Sequence, residues 1–170
     1  MLLISTQHFH KKFNAKNRPF SLFLALNFYN IFTMKYYKKT FTVQKKDIDI
    51  NGHVNNVRYL EWFLTAATEH SEQLGFSFET LRGMNRTWVA KEHRILYKSS
   101  ALEEENLILE TWLEEIKSAQ GVRKYELRNA QSQKVVCEGS TVWVFVELET
   151  YRPKRIPDDL VRLYAQALSD

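Results

Sequence analysis

The sequence predicts an α+β domain: an antiparallel sheet of about five strands with one long helix packed on one face. Two observations support this prediction. The apolar residues change from alternating to helical spacing near residue 56 and return to alternation from residue 87 onward. The later alternating segments are joined by short connections at 117–120 and 130–133, which favour antiparallel neighbours.

The first half of the predicted domain consists of one strand, one loop and the long helix. Residues 35–44 are rich in β-branched and aromatic side chains and predict a strand, whereas the polar residues 45–55 predict a loop. Apolar residues then recur at spacings of three, four and seven, which predicts a helix of about five turns with these residues on its buried face: Val57, Leu60, Phe63, Leu64, Ala67 and Leu74. We expect Asn55 or Asn56 to cap this helix and Gly75 to end it.

The second half is dominated by strands. After a short turn or helix at 77–83, strands are expected at 87–97, 106–116, 121–129 and 134–148, and a final helix at 157–168 begins near Pro157 or Asp158. A sheet covered by a single helix leaves one edge and one face to be covered. We therefore expect a homodimer or homotetramer.

The positive charge of the chain lies entirely at its N-terminal end. The chain has 170 residues and a net charge of +4, but residues 1–33 hold four basic residues and no acidic one, and 34–170 hold 20 of each. An electroneutral body argues against a nucleic-acid partner. We expect residues 1–33 to be a poorly ordered N-terminal extension, with a targeting segment or an added helix as alternatives, and residues 34–170 to form the domain.

Cysteine usage and hydropathy exclude further classes of protein. A single cysteine, Cys137, rules out an intramolecular disulfide framework and a cysteine-rich zinc site, and we expect it to be a small core residue. No ligand set for a metal is evident, and we expect no metal and no cofactor. The longest apolar run, residues 22–32, is too short to span a bilayer, so we expect no membrane span and a cytoplasmic protein.

One junction between loop and helix concentrates the polar groups that carry chemistry. A carboxylate, an imidazole and three amides stand within ten residues, directly before the helix, as Asp49, Asn51, His53, Asn55 and Asn56. Unpaired N–H groups and the positive end of the helix dipole meet there and can stabilise an oxygen that becomes negative during acyl transfer. A neighbouring carboxylate can act as base or nucleophile. The alternative is that these residues only cap the helix and close the loop.

Residues 47–62, DIDINGHVNNVRYLEW, resemble the signature of hotdog-fold thioesterases of the 4-hydroxybenzoyl-CoA thioesterase type. They are also similar to the Asp-x-Asn-x-His-Val-Asn-Asn run of acyl-ACP thioesterases, and the resemblance extends over about residues 35–157. It implies the hotdog fold, in which an antiparallel sheet wraps around one long central helix. It further implies hydrolysis of acyl-CoA or acyl carrier protein thioesters to a free carboxylic acid and a thiol.

The resemblance also implies roles for individual residues. Asp49 takes the position of the catalytic aspartate, Asn51 and His53 position water or the carboxylate, and the Asn56 N–H polarises the thioester carbonyl. Asp47 is then a flanking acid. The expected substrate-binding residues are Gly52, Val54, Asn55 and Tyr59 beside this site and the basic cluster Arg152, Lys154 and Arg155. That cluster either attracts the phosphates of CoA or an acidic carrier protein, or is an ordinary solvated surface.

Two positions depart from the family pattern. Thr65 stands where some relatives carry a glutamate, and Ser100 where many carry a proline. His70 and His93 are expected to be ordinary residues.

Two other functions compete with thioester hydrolysis. They are a hotdog hydratase or dehydratase acting on acyl thioesters, and a non-catalytic acyl-CoA-binding module. The sequence shows no nucleophile-elbow motif, which argues against a serine hydrolase.

Overall fold

The computed structural model describes residues 36–166, which form five strands and three helices. The strands are β1 (Tyr37–Thr42), β2 (Arg86–Tyr97), β3 (Asn106–Lys117), β4 (Gln120–Asn129) and β5 (Val135–Glu147). The helices are α1 (Asn56–Gln73), α2 (Phe78–Gly83) and α3 (Asp158–Gln166), and a 3-10 turn spans Lys45–Asp47. The predicted extension 1–33 and the last two residues of the predicted final helix lie outside the described residues.

The strands form one antiparallel sheet in the order β1-β3-β4-β5-β2. The predicted class, α+β with a five-stranded antiparallel sheet, is therefore confirmed. Short connections join β3 to β4 and β4 to β5, as the sequence indicates. β2 lies beside β5 at the far edge, although β3 follows it in the chain.

One face of the sheet is buried, and α1 packs against it. Exposed or half-buried residues alternate with buried ones along β3 and β4, so that Leu107, Leu109, Tyr125 and Leu127 point into the core. The Phe63 ring of α1 stacks on the Tyr125 ring with centroids 4.6 Å apart. This packing fixes where the start of α1, and hence the polar junction before it, lies relative to the sheet.

The helix has the expected length, but its buried face is rotated from the predicted one. α1 is 18 residues long, which is five turns, and Asn55 caps it. Its buried residues are Tyr59, Phe63, Ala66, Ala67 and His70, whereas Val57 is 55% exposed and Leu60 and Leu64 are only half-buried. The predicted face was wrong at these three leucine and valine positions, because two large side chains with polar atoms, Tyr59 and His70, occupy the core instead.

Candidate active site

The segment before α1 folds into a small closed hairpin. Ile48 and Val54 form an antiparallel bridge, the Asp49 N–H donates to the His53 carbonyl (2.9 Å), and the Gly52 N–H donates to the Asp49 carbonyl (3.1 Å). Gly52 has φ +79°, in the left-handed region that residues with a Cβ rarely adopt. A Cβ added there would meet nothing within 4 Å, so backbone conformation rather than crowding explains the glycine.

Within this hairpin the Asp49 carboxylate is held by the residues that the sequence pairs with it. Its Oδ1 accepts from the Asn51 backbone N–H (2.7 Å), and the Asn51 side-chain amide lies 3.5 Å from Oδ2. His53 Nδ1 is 3.8 Å from Oδ1, which is an ion-pair distance when the imidazole is protonated and longer than a hydrogen bond. The Asp49 side chain is 19% exposed, so the carboxylate is oriented and still reachable. The structure thus brings Asp49, Asn51 and His53 together.

The neighbouring carboxylate of Asp47 has a structural role. Its side chain is 4% exposed, its Oδ2 accepts from the Gln44 backbone N–H (2.9 Å), and its Oδ1 accepts from Arg58 Nε (2.8 Å). The Asp47 carbonyl also accepts from the Asn55 N–H (2.8 Å). Asp47 therefore ties the 3-10 turn to the first turn of α1 and holds the hairpin from behind. Sequence reasoning missed Arg58, the basic partner that completes this brace.

The start of α1 directly follows the hairpin and is fixed by contacts with the end of β2 and with the loop after it. Asn55 Oδ1 accepts from the Val57 N–H (3.0 Å) as the N-cap. The Tyr97 hydroxyl, at the end of β2, donates to the Asn56 carbonyl (3.1 Å), and the Val54 N–H donates to the Ala101 carbonyl (2.9 Å). The N–H of Asn56 belongs to the first turn, whose N–H groups have no acceptor within the helix. Sequence reasoning missed Tyr97, since its place at the end of a strand gives no signal of the contact.

Two of the expected substrate-binding residues belong to the core instead. Val54 and Tyr59 are each 3% exposed. The Tyr59 ring packs edge-on against Trp62 and Tyr97, and burial raises the pKa of its hydroxyl to about 12. These two side chains anchor the hairpin and the start of α1 in the core, and neither lines a surface open to a ligand.

The expected basic cluster lies at the other end of the sheet from Asp49. The segment 152–154 pairs with the end of β5, where Pro153 bridges Val146 and the Lys154 N–H donates to the Phe145 carbonyl (2.9 Å). The hairpin approaches the opposite end, near Tyr97 and the β5 residue Cys137, which is paired with it. Eight residues of β5 separate Cys137 from Phe145, about 26 Å of strand. Within one chain, Arg152, Lys154 and Arg155 do not share a site with Asp49.

The other residues noted in the sequence make hydrogen bonds or core contacts within the fold. Thr65 donates to the Glu61 carbonyl (2.8 Å), and His93 Nδ1 is 2.9 Å from the Thr141 hydroxyl. Cys137 is fully buried, and burial raises the pKa of its thiol to about 12, so it is a core residue as predicted and a poor nucleophile.

The described residues show neither a metal site nor a membrane helix. Across residues 36–166, no cluster of three or more His, Cys, Asp or Glu side chains could hold a metal ion. No helix in that same range is long and apolar enough to cross a membrane.

Comparisons with known proteins place this fold among known families. Residues 34–164 match the family model described as the acyl-ACP thioesterase N-terminal domain. Over 131 residues the chain is 24% identical to oleoyl-acyl carrier protein thioesterase 2 of the Arabidopsis thaliana chloroplast, an alignment that covers 73% of this chain and 35% of that protein. The chain thus spans about a third of the length of this curated relative.

Solved structures that resemble the chain include several thioesterases. The DHNA-CoA thioesterase of Staphylococcus aureus superposes with a TM-score of 0.71 at 23% identity, covering 79% of this chain and 91% of that one. An acyl-ACP thioesterase of Bacteroides thetaiotaomicron gives 0.67 at 23%, covering 72% and 50%. A Staphylococcus aureus protein solved in complex with CoA gives 0.73 at 15%, covering 78% and 83%. At these identities the likeness shows the fold, which is of the hotdog type. With most of its length matched by the family model, the chain belongs to the acyl-ACP thioesterase N-terminal domain family.

Proposed function

We propose that the protein is an acyl thioesterase that hydrolyses acyl-CoA or acyl carrier protein thioesters to a free carboxylic acid and a thiol. The observation that carries this proposal is the Asp49 carboxylate, which accepts from Asn51 in the hairpin that leads directly into α1. Membership of the acyl-ACP thioesterase family supports it. In this proposal the sheet wraps around α1 as the one long central helix of the fold.

The first turn of α1 is the proposed site for the thioester carbonyl. The Asn56 N–H and the positive end of the helix dipole would stabilise the oxyanion that forms when the carbonyl is attacked. A donor of this kind contributes roughly 3 kcal/mol to transition-state stabilisation. The Tyr97 contact to the Asn56 carbonyl supports this role, because it fixes the helix start against the sheet.

Asp49 is the proposed catalytic residue, by one of two routes. It either attacks the carbonyl carbon to give a mixed anhydride that water then hydrolyses, or it removes a proton from the attacking water. In both routes the carbon–sulfur bond breaks, the thiolate takes up a proton, and the acid product gains one oxygen from water. Asn51 and His53 are proposed as positioning residues that hold the carboxylate or the water.

One of the two edges of the sheet, strand β2, supports a homodimer. In the described part of the chain, β2 pairs with β5 on one side and with no strand on the other. This edge strand is 12 residues long and exposes Val89, Leu96 and Tyr97, a surface that natural proteins normally cover. We propose that the β2 strands of two copies pair antiparallel across a two-fold axis, and a tetramer would add a second such dimer.

This dimer would give the basic cluster a place in the active site. Antiparallel pairing puts the start of one β2 beside the end of the other. The end of β5 that carries the cluster lies beside the start of β2, because Glu147 pairs with Arg86. Arg152 of the partner subunit would therefore approach the Asp49 hairpin, where its charge suits the phosphates of CoA or an acidic carrier protein.

A substrate screen tests the proposed reaction. Thiol release is measured from acyl-CoA and acyl carrier protein thioesters of increasing chain length, and water addition to 2-enoyl thioesters is followed in parallel. We expect saturable thiol release with at least one substrate. Hydration without thiol release would replace the proposal with a hydratase, and saturable binding without any turnover would replace it with a binding module.

A further inference from the structure

A cavity of about 340 Å³ lies at the opposite end of α1 from the Asp49 hairpin. It is bounded by the C-terminal half of α1, by α2 and by the inner face of the sheet, and Ser71, Phe78 and Trp88 are among its lining residues. Fifteen residues of α1 separate Asn56 from Ser71, about 22 Å along the helix. The volume falls within the range of small-molecule sites. Within one chain the cavity is therefore separate from the candidate active site.

The walls of this cavity are mostly apolar. The large side chains that line it are Phe76, Phe78, Leu81, Trp88, Leu113 and Trp143. Gly121 leaves room among them, since a Cβ added there would lie 3.7 Å from Leu113 and 3.8 Å from Trp88, which is ordinary contact. Arg123 also borders the cavity, but it is 3% exposed and donates to the Thr111 hydroxyl (3.3 Å), so it supplies little of the wall surface. Such walls suit a hydrocarbon chain.

Exposed aromatic or aliphatic side chains lie at both ends of β2, on the side of the sheet that faces α1. At the end near the hairpin, Tyr97 is 47% exposed, and Val57 in the first turn of α1 is 55% exposed. At the start of β2, Phe78 lines the cavity and is 53% exposed, which places it at the cavity opening. Trp88, within β2, lines the cavity as well. A single chain thus leaves one apolar surface uncovered at each end of this strand.

Antiparallel pairing of two β2 strands brings these two surfaces together. With the pairing centred on the 12-residue strand, Tyr97 lies opposite Arg86 of the partner subunit. Trp88 of the partner subunit then lies about 8 Å from Tyr97 between Cα atoms, from one cross-strand spacing and two residues of strand rise. The cavity opening of one subunit therefore adjoins the first turn of α1 in the other, and the two-fold axis creates this junction twice.

We propose that the acyl chain of the thioester lies in the cavity of one subunit while its carbonyl lies on Asp49 and the Asn56 N–H of the other. The assignment rests on the proposed function and the proposed dimer, and it names the substrate class as linear aliphatic acyl thioesters. Acetyl and aromatic acyl groups would end between the subunits, before the cavity. Gly121 limits the chain length, since any side chain at this position occupies space that the acyl chain fills.

Binding of non-hydrolysable analogues tests the cavity without requiring turnover. S-alkyl-CoA thioethers of increasing chain length are titrated into the full chain by calorimetry. The affinity is expected to rise about threefold to fourfold for each methylene that enters the cavity, and to stop rising once the cavity is full. An affinity that does not depend on chain length would overturn the proposal.

Substitutions at Gly121 locate the end of the bound chain. Alanine adds a methyl group and valine an isopropyl group, so the chain length at which affinity stops rising is expected to shorten from wild type to Gly121→Ala to Gly121→Val. Gly121→Ala is expected to fold, because its Cβ makes only ordinary contacts. Gly83→Ala, whose Cβ meets nothing within 4 Å, is the control and should keep the wild-type series. Folded Gly121 variants that also keep the wild-type series would overturn the assignment.

Mixed dimers test whether carbonyl and chain lie in different subunits. Differently tagged chains that carry Asp49→Asn and Gly121→Val are co-purified as heterodimers, and thiol release is measured against chain length. The intact Asp49 then works with the unfilled cavity of the other subunit, so the wild-type length preference is expected. The matched control pairs a chain carrying both substitutions with a wild-type chain and should show the shortened preference. The reverse pattern would place carbonyl and chain in one subunit and contradict the proposal.

Two outcomes distinguish failure of this assignment from failure of the proposed function. Thiol release whose length preference is unchanged in folded Gly121→Val, or thiol release by a monomeric protein, would sustain hydrolysis and overturn the assignment. Binding of S-alkyl-CoA that rises with chain length and is shortened by Gly121→Val, in a dimer that releases no thiol, would sustain the cavity assignment while the proposed function fails.

Discussion

Asp47 and Asp49 are separated by one residue and differ in almost every physical respect. Asp47 is enclosed between the Gln44 N–H and Arg58, whereas Asp49 projects from a hairpin with a reachable carboxylate. The sequence motif predicts that Asp49 is the catalytic one, but it contains no sign of the Arg58 brace. A partner eleven residues along the chain becomes a neighbour only once the 3-10 turn and α1 have folded.

Position 139 requires glycine because its neighbours leave no room for a side chain. A Cβ there would lie 2.5 Å from Phe63 Cε2 and 3.3 Å from the Arg94 carbonyl, and the Phe63 ring cannot retreat because it stacks on Tyr125. Gly139→Ala is therefore expected to lower the free energy of unfolding by about 1–3 kcal/mol, measured by denaturant titration.

Gly83→Ala is the matched control for that substitution. Gly83 ends α2, and a Cβ added there meets nothing within 4 Å. Alanine is expected to leave stability unchanged or to raise it by roughly 0.5–1 kcal/mol. Equal effects of the two substitutions would show that close packing of α1 on β5 is not what Gly139 provides.

At the scale of the elements, the sequence predicts the order and type of nearly every helix and strand. The alternation of apolar and polar residues predicts the ends of β3 and β4 to within one residue, because each strand has one buried face and one more exposed face. Periodicity gives the ends of α1 but misplaces its buried face, since Tyr59 and His70 do not count as apolar residues in such a pattern. The position of β2 beside β5 cannot be predicted from local patterns, because strand order depends on contacts distant in the chain.

The exposed edge strand β2 leads to a prediction about assembly. Leu96 on β2 is 46% exposed, and the proposed dimer would bury it. Leu96→Glu is expected to raise the dimer dissociation constant at least about tenfold, since burying an unpaired carboxylate costs more than ~1.4 kcal/mol. Sedimentation over a range of concentrations measures this change.

Leu102→Glu serves as the control for assembly. Leu102 is 50% exposed and lies in the loop after β2, so pairing of the two β2 strands does not itself bury it. Its substitution is expected to leave the dissociation constant unchanged. A monomeric wild-type protein, or equal weakening by both substitutions, would contradict pairing through β2.

At the scale of the whole molecule, the net positive charge and the candidate active site lie in different parts of the sequence. The net charge of +4 comes from residues 1–33, and the remaining residues are electroneutral. The basic cluster at 152–155 is placed away from Asp49 within one chain, which the linear sequence does not reveal because it contains no information on which end of a strand each loop reaches. A second copy is the proposed means of bringing them together.

Residues 34–170 are proposed to form the working domain. A chain that begins at Met34 is expected to keep the thiol-release rate and the melting temperature of the full chain, because the polar hairpin, α1 and all five strands lie within it. Enzyme assay and thermal unfolding of the two chains side by side measure this. Loss of activity in a folded chain from Met34 would show that the first 33 residues contribute to function.

The proposed mechanism depends most directly on the different roles of the two aspartates, and one paired measurement tests it. Thiol release and the free energy of unfolding are measured for Asp49→Asn and Asp47→Asn together. Asp49→Asn is expected to lower kcat at least about 100-fold while stability changes by less than about 1 kcal/mol, because asparagine still accepts from the Asn51 N–H.

Asp47→Asn is expected to do the opposite. Weakening the charge-assisted bonds to Arg58 and Gln44 should lower the free energy of unfolding by about 1–3 kcal/mol, while the folded protein continues to release thiol. Unchanged turnover in Asp49→Asn, or loss of turnover in folded Asp47→Asn with Asp49→Asn active, would contradict the assignment of Asp49 as the catalytic residue.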